Sequence, residues 1–114
     1  MTGKTMHTAE LAENLHPKHP GYYLKDLVVK AEAELLSVHR GRIEQGGEIL
    51  VHTHGVESET FYILSGKAEC TMGDEKLEFV AGSCGFAPPG VPHGLKNVGS
   101  EPVELLAIFT PPLK

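Results

Sequence analysis

The sequence predicts an all-β domain, a sandwich or barrel of short strands. Two observations carry this. Eight or more short runs rich in β-branched, aromatic or alternating residues are separated by turn residues about every 8–12 positions. No long helical pattern interrupts them, and no internal repeat or second domain is visible in the 114 residues. One barrel domain is expected over 22–114, preceded by an extension over 1–21.

In the extension, Thr8 is placed to cap a short helix over AELAENL, with Leu11 and Leu15 on one side and Pro17 and Pro20 stopping it. His7, His16 and His19 read there as solvent-exposed loop histidines. From Tyr22 to Ile43 the pattern is extended, with a first strand around Val28 and Val29 and a longer one from Leu35 to Ile43. Ala31 to Leu36 has helical propensity that tertiary context is expected to override. Lys67 to Met72 alternates as a half-buried strand, Gly73-Asp74 is a hairpin turn, and Leu77, Phe79 and Val80 return. The last strand, Val103 to Thr110, is nearly continuously apolar, which implies cover on both faces and predicts a homodimer.

A net charge of −5 without a Lys/Arg cluster argues against nucleic acid as the partner. No apolar run approaches the ~18 residues of a membrane span, and the N-terminus lacks the apolar core of a signal peptide, so a cytoplasmic protein is expected. Cys70 and Cys84 sit in apolar runs without zinc-type spacing and read as reduced, buried thiols.

The chemistry concentrates in GGEILVHTHGVESETFYILSG, Gly46 to Gly66. His52 and His54 lie two apart in a β-rich run, so both imidazoles point to one face. If the polar break at 55–58 turns the chain back, Glu59 reaches the same face; Glu57 competes but lies inside the turn. His93, in GFAPPGVPHGLKN, is the candidate fourth ligand, its entry fixed by prolines. Imidazoles and a carboxylate suit one divalent transition metal ion: Fe, Mn, Ni, Co or Zn.

Gly46, His52, His54, Glu59 and Gly66 fill, position by position, the first motif of the cupin superfamily, which the chain resembles. Gly82, Pro88, Gly90, His93 and Asn97 fill the second. Ser83 stands where many relatives carry Asp, at a position that shapes a turn. The resemblance implies a double-stranded β-helix, the jelly-roll cupin barrel, with His52, His54, Glu59 and His93 on the metal and one or two coordination positions left open.

The same inward parity places Phe61 and Ile63 beside Glu59, and an apolar substrate pocket is expected from Leu50, Phe61, Ile63, Met72 and Phe86. His39 is a candidate for supporting the ligands or touching substrate. Other than His39, only Tyr62 and Tyr22 offer a general base. The expected function is that of a metal-dependent enzyme, a dioxygenase acting on a small oxygen-chelating organic substrate. The alternatives are a metal-dependent isomerase, decarboxylase or lyase, and a non-catalytic cupin that binds a sugar or organic acid.

Overall fold

The structure, a computed structural model, describes residues 3–114; the first two residues of the extension lie outside the described residues. Ten strands run in order: β1 (Asn14–Leu15), β2 (Tyr22–Val28), β3 (Ser37–Ile43), β4 (Glu48–His52), β5 (Ser58–Ser65), β6 (Lys67–Met72), β7 (Glu75–Val80), β8 (Cys84–Ala87), β9 (His93–Asn97) and β10 (Val103–Thr110). They form a six-stranded sheet, β1-β2-β3-β10-β5-β8, facing a four-stranded sheet, β4-β9-β6-β7. All pairings are antiparallel. This is a jelly roll.

Alternation in sequence becomes alternation in burial. Ser37, His39, Gly41 and Ile43 of β3 are buried, as are Val103, Leu105, Ala107 and Phe109 of β10. With Phe61, Ile63, Cys70 and Leu95 these side chains fill the space between the sheets. Each fully buried large apolar side chain contributes roughly 1.5–3 kcal/mol. Two motif glycines show why that residue type is needed. Gly66 has φ +92°, and a Cβ there would lie 2.6 Å from the Pro102 carbonyl oxygen; Gly90 turns at φ +83° just before His93. Asn97 ties the far end, donating from Nδ2 to the carbonyls of Ile43 and Glu101 and accepting from Gly99 N–H. Ser83 does shape a turn: its hydroxyl oxygen accepts from Val80 N–H at 2.9 Å.

Several expectations need correction. The extension forms no α-helix: only a 3-10 turn, Thr8–Glu10, precedes β1, because seven residues ending in prolines cannot outweigh pairing of Asn14–Leu15 with Tyr23 and Leu24. The first barrel strand begins at Tyr22 rather than near Val28, and Leu35 lies outside β3, which starts at Ser37. Residues 31–36 are turns and bends rather than extended, and their helical propensity is overridden as expected. β10 is not an edge strand. It lies between β3 and β5, and burial alternates along it, so its apolarity is accounted for within one chain. Cys70 is buried, but Cys84 is exposed on the outer side of β8.

Candidate metal centre

One face of the cavity between the sheets gathers His52 from the end of β4, His54 from the loop after it, Glu59 from β5 and His93 from the start of β9. One nitrogen or oxygen of each lies within 4.8 Å of those of the others. Glu57 is not in this group. His93 Nε2 is 2.8 Å from Glu59 Oε1, His54 Nε2 is 3.3 Å from the same oxygen, and His52 Nε2 is 3.1 Å from His54 Nε2. The sequence-derived ligand set therefore converges.

Backbone carbonyls orient two of the imidazoles. The carbonyl of Leu50 lies 2.6 Å from His52 Nδ1 and that of Val91 lies 3.0 Å from His93 Nδ1. A carbonyl only accepts, so each Nδ1 carries a proton, which leaves Nε2 as the nitrogen that a cation would take. Without a cation, His93 Nε2 donates to the Glu59 carboxylate, and a divalent cation would replace that proton in a set of three imidazole nitrogens and one carboxylate. Such a set fits a divalent cation.

The protonation energetics agree. Burial penalises the Glu59 carboxylate, yet hydrogen bonds from His54 and His93, and their charge, outweigh it and hold its pKa at about 2. Burial alone would lower the His93 pKa; the bond to Glu59, the Val91 carbonyl and the Glu59 charge raise it instead. For His52 burial dominates and the pKa is lowered.

The cavity above this face encloses about 710 Å³. Its wall differs from the one the sequence suggested. Phe61 and Ile63 do point inward with Glu59, as parity requires, but they lie in the packed core and do not line the cavity. Each inward step along a strand advances about 7 Å, here from the cavity into the core. Phe61 stacks behind His93, ring centroids 6.2 Å apart. Met72 packs against the core opposite His93 in register.

Leu50 and Phe86 point out to solvent, 42% and 57% exposed. For Leu50 the cause is an irregularity in the β4–β9 pairing between Ile49 and His52. It shifts side-chain parity by one, so Ile49 faces inward in its place. In β8, Gly85 and Ala87 face the core, which sends Phe86 outward.

The apolar part of the cavity wall is Leu15, Leu24, Ile49, Phe109 and Leu113, and the polar part includes His16, His19, Asp26 and His39. His39 is buried, its ring edge-on to Phe109. Its Nδ1–H donates to Asp26 Oδ1 at 2.7 Å, and its Nε2 meets the Ser37 hydroxyl at 2.9 Å. Of the tyrosine candidates, Tyr62 is on the outer face. Tyr22 lines the cavity, but burial pushes its hydroxyl pKa far above the usual range, so it stays protonated.

His19 is the residue the sequence most misplaced. Instead of an exposed loop position it is 8% exposed, its ring centroid 4.9 Å from that of His52. Burial, with the nearby His16 and His52, lowers its pKa to about 4. Nothing local announces this. Residues 16–21 are held by long-range bonds, from Glu44 N–H to the Gly21 carbonyl and from Glu48 N–H to the Pro20 carbonyl. Asp26 was also missed, since a lone acidic residue in a strand carries no motif.

Comparison with known proteins agrees with this architecture. A protein of Methanocaldococcus jannaschii is 28% identical over 115 residues, covering 94% of this chain and 92% of the relative. The xanthan biosynthesis protein XanB of Xanthomonas campestris is 35% identical over 62% of this chain, which spans only 15% of that relative's length. Among solved structures, a predicted oxalate decarboxylase from Thermotoga maritima superposes with a TM-score of 0.84 at 21% identity, over 94% of this chain and 98% of the other. The family model described as the cupin domain matches residues 39–109, more than half of the sequence and all four candidate ligands. The chain belongs to the cupin family.

Proposed function

We propose that the protein is a metal-dependent enzyme that moves a proton on a small, oxygen-chelating organic acid, in the isomerase, decarboxylase and lyase group of cupin chemistry. The observation that carries this reading is the Asp26–His39 pair in the wall of the cavity. It is outside the ligand set, so it remains free for acid–base work. A divalent cation held by His52, His54, Glu59 and His93 would supply Lewis acidity toward a substrate oxygen. Three neutral imidazoles and one carboxylate leave such a centre with net positive charge, which favours an anionic oxygen.

The residues of the chain divide the remaining work. His39 donates to Oδ1 of Asp26, and Lys114 Nζ lies 3.5 Å from the same oxygen. Oδ2 has no partner among the described residues and is the atom that takes and returns the proton. Leu24, Ile49, Phe109 and Leu113 exclude water from the carbon being worked on. The name of the Thermotoga relative, a predicted oxalate decarboxylase, falls in the same reaction group.

Dioxygenation of an enediol, flavonol or diketone is the second reading. It is favoured by that apolar part of the wall, which suits an uncharged ring or chain. A panel of 2-oxo and 3-oxo acids and chelating enols in D2O separates the readings. Protein loaded with Mn or Zn is followed by NMR for deuterium incorporation, and protein loaded with Fe or Ni by an oxygen electrode. Exchange that Asp26→Asn removes supports the first reading. Oxygen uptake without exchange supports the second, and tight binding with neither result makes the protein a binding module.

A homodimer and a cytoplasmic location belong to the same proposal. With β10 internal, the dimer rests on the outer face of the six-stranded sheet instead. There Tyr62 and Phe86 are 45% and 57% exposed beside half-buried Leu106, Ile108 and Val38. The location rests on the unpaired thiol of exposed Cys84, which suits a reducing compartment. No helix among the described residues is long and apolar enough to cross a membrane.

A further inference from the structure

The face of the cavity formed by residues 14–19 repeats the imidazoles of the metal centre with opposite hydrogen-bond polarity. The ring centroids of His16 and His19 are 4.3 Å apart, and both rings line the cavity. Lys18 N–H donates to His16 Nδ1 at 3.1 Å, and Leu50 N–H donates to His19 Nδ1 at 3.0 Å. A backbone N–H only donates, so both Nδ1 atoms are unprotonated and both rings carry their proton on Nε2. The hydrogen bonds of both rings among the described residues are made at Nδ1, and no buried polar side-chain atom is left unpaired, so both Nε2 atoms are open to the cavity, and neither belongs to the ligand group. Two N–H donors are thus fixed, side by side, at a wall shared with the metal centre. Lys18 and Lys114 add positive charge to the same wall.

We propose that His16 and His19 form an anion subsite, a pair of Nε2–H donors that receives a carboxylate of a ligand whose other oxygen lies at the His52–His54–Glu59–His93 centre. This rests on the metal-dependent reading above and narrows it. The ligand is an organic acid with two oxygen-bearing ends, not a neutral diketone or flavonol. Neutral imidazoles suit the task because they donate without the desolvation cost of a buried cation. Their tautomer is set by the backbone, so no reorganisation precedes binding.

The test uses the full chain loaded with Zn, with metal content measured first. Malonate, succinate and acetate are then titrated into wild type and into His16→Phe/His19→Asn. Asn is chosen at position 19 so that its carbonyl can keep the Leu50 N–H satisfied. The expected result is that the double variant binds metal as wild type does, but binds the better dicarboxylate about 100-fold more weakly, the scale of two lost hydrogen bonds to a charged group. Acetate affinity is expected to stay unchanged. Equal dicarboxylate affinity in both proteins overturns the subsite. Absence of metal from wild type overturns the metal reading instead, and the two failures are thereby distinct.

A second measurement needs no variant. In imidazole-labelled wild type, the Nε2–H resonances of His16 and His19 are expected to shift when the dicarboxylate is added. Shifts confined to other residues contradict the proposal.

Discussion

The two faces of the cavity are built from the same side chain held in opposite ways. On one, His52 and His93 give their Nδ1 protons to backbone carbonyls, which leaves Nε2 to a cation. On the other, His16 and His19 take backbone N–H bonds at Nδ1 and present protons. Leu50 serves both faces, its carbonyl fixing His52 and its N–H fixing His19. The backbone atom behind an imidazole therefore decides whether it can ligate a cation or bind an anion. Counting histidines near a metal centre does not.

The largest effect that separates the faces concerns metal. His54→Ala and His93→Ala are each expected to lower metal affinity at least about 100-fold, since each removes one of the four proposed ligands. His16→Ala and His19→Ala are expected to leave metal content unchanged. Metal analysis after dialysis against a weak chelator reads all four variants. Loss of metal from His19→Ala would merge the two faces into one site.

Next comes the packing beneath the ligand face. Phe61→Ala is expected to destabilise the protein by about 3–5 kcal/mol, because it empties the space under His93 and beside Phe79. Thermal unfolding measures this. Ligand affinity measured well below the melting temperature should be preserved, since Phe61 does not line the cavity.

Asp26→Asn is expected to retain metal and fold while lowering turnover about 100-fold, the usual range for removing a general base, which is the role proposed for it. His39→Gln should produce a smaller loss, because it only positions the carboxylate. Turnover unaffected by either change would leave the pair a structural link between β2 and β3.

The smallest difference is in pH dependence, where the two faces have opposite signs in the metal-free protein. His93 has a raised pKa, so its contribution is present below pH 6.5 and fades as pH rises through its folded value. His19 has a pKa lowered from 6.5 to about 4, so the unfolded chain takes the proton first and stability falls as pH drops between those values. After solvent screening the His19 effect is expected to be about 2 kcal/mol, and urea unfolding of wild type and His19→Asn at pH 7 and pH 4.5 measures it. Glu59 resists acid further, losing its contribution only as pH falls from 4.5 through about 2.

The ligand face was legible in the sequence because its geometry is local. His52 and His54 are two apart, Glu59 follows one turn, and His93 follows a proline-glycine bend, so strand period and turn chemistry suffice. The opposite face was not. His16 and His19 lie in an irregular stretch whose placement depends on bonds to Glu44, Glu48 and Leu50, about 30 residues away in sequence. Leu50 shows a second limit: alternation counted back from His52 puts it inside, and one irregularity in pairing with β9 turns it out. β10 shows a third. An apolar strand reads as one needing a partner, and only the strand order reveals that β3 and β5 already flank it.

The division of the cavity by tautomer is tested most directly by one long-range proton–nitrogen NMR spectrum of the histidine rings in Zn-loaded protein. The account predicts His52 and His93 protonated at Nδ1 with zinc-shifted Nε2, and His16 and His19 protonated at Nε2 with Nδ1 bare. A spectrum in which His16 or His19 carries its proton on Nδ1, or shows a zinc-shifted nitrogen, would contradict it.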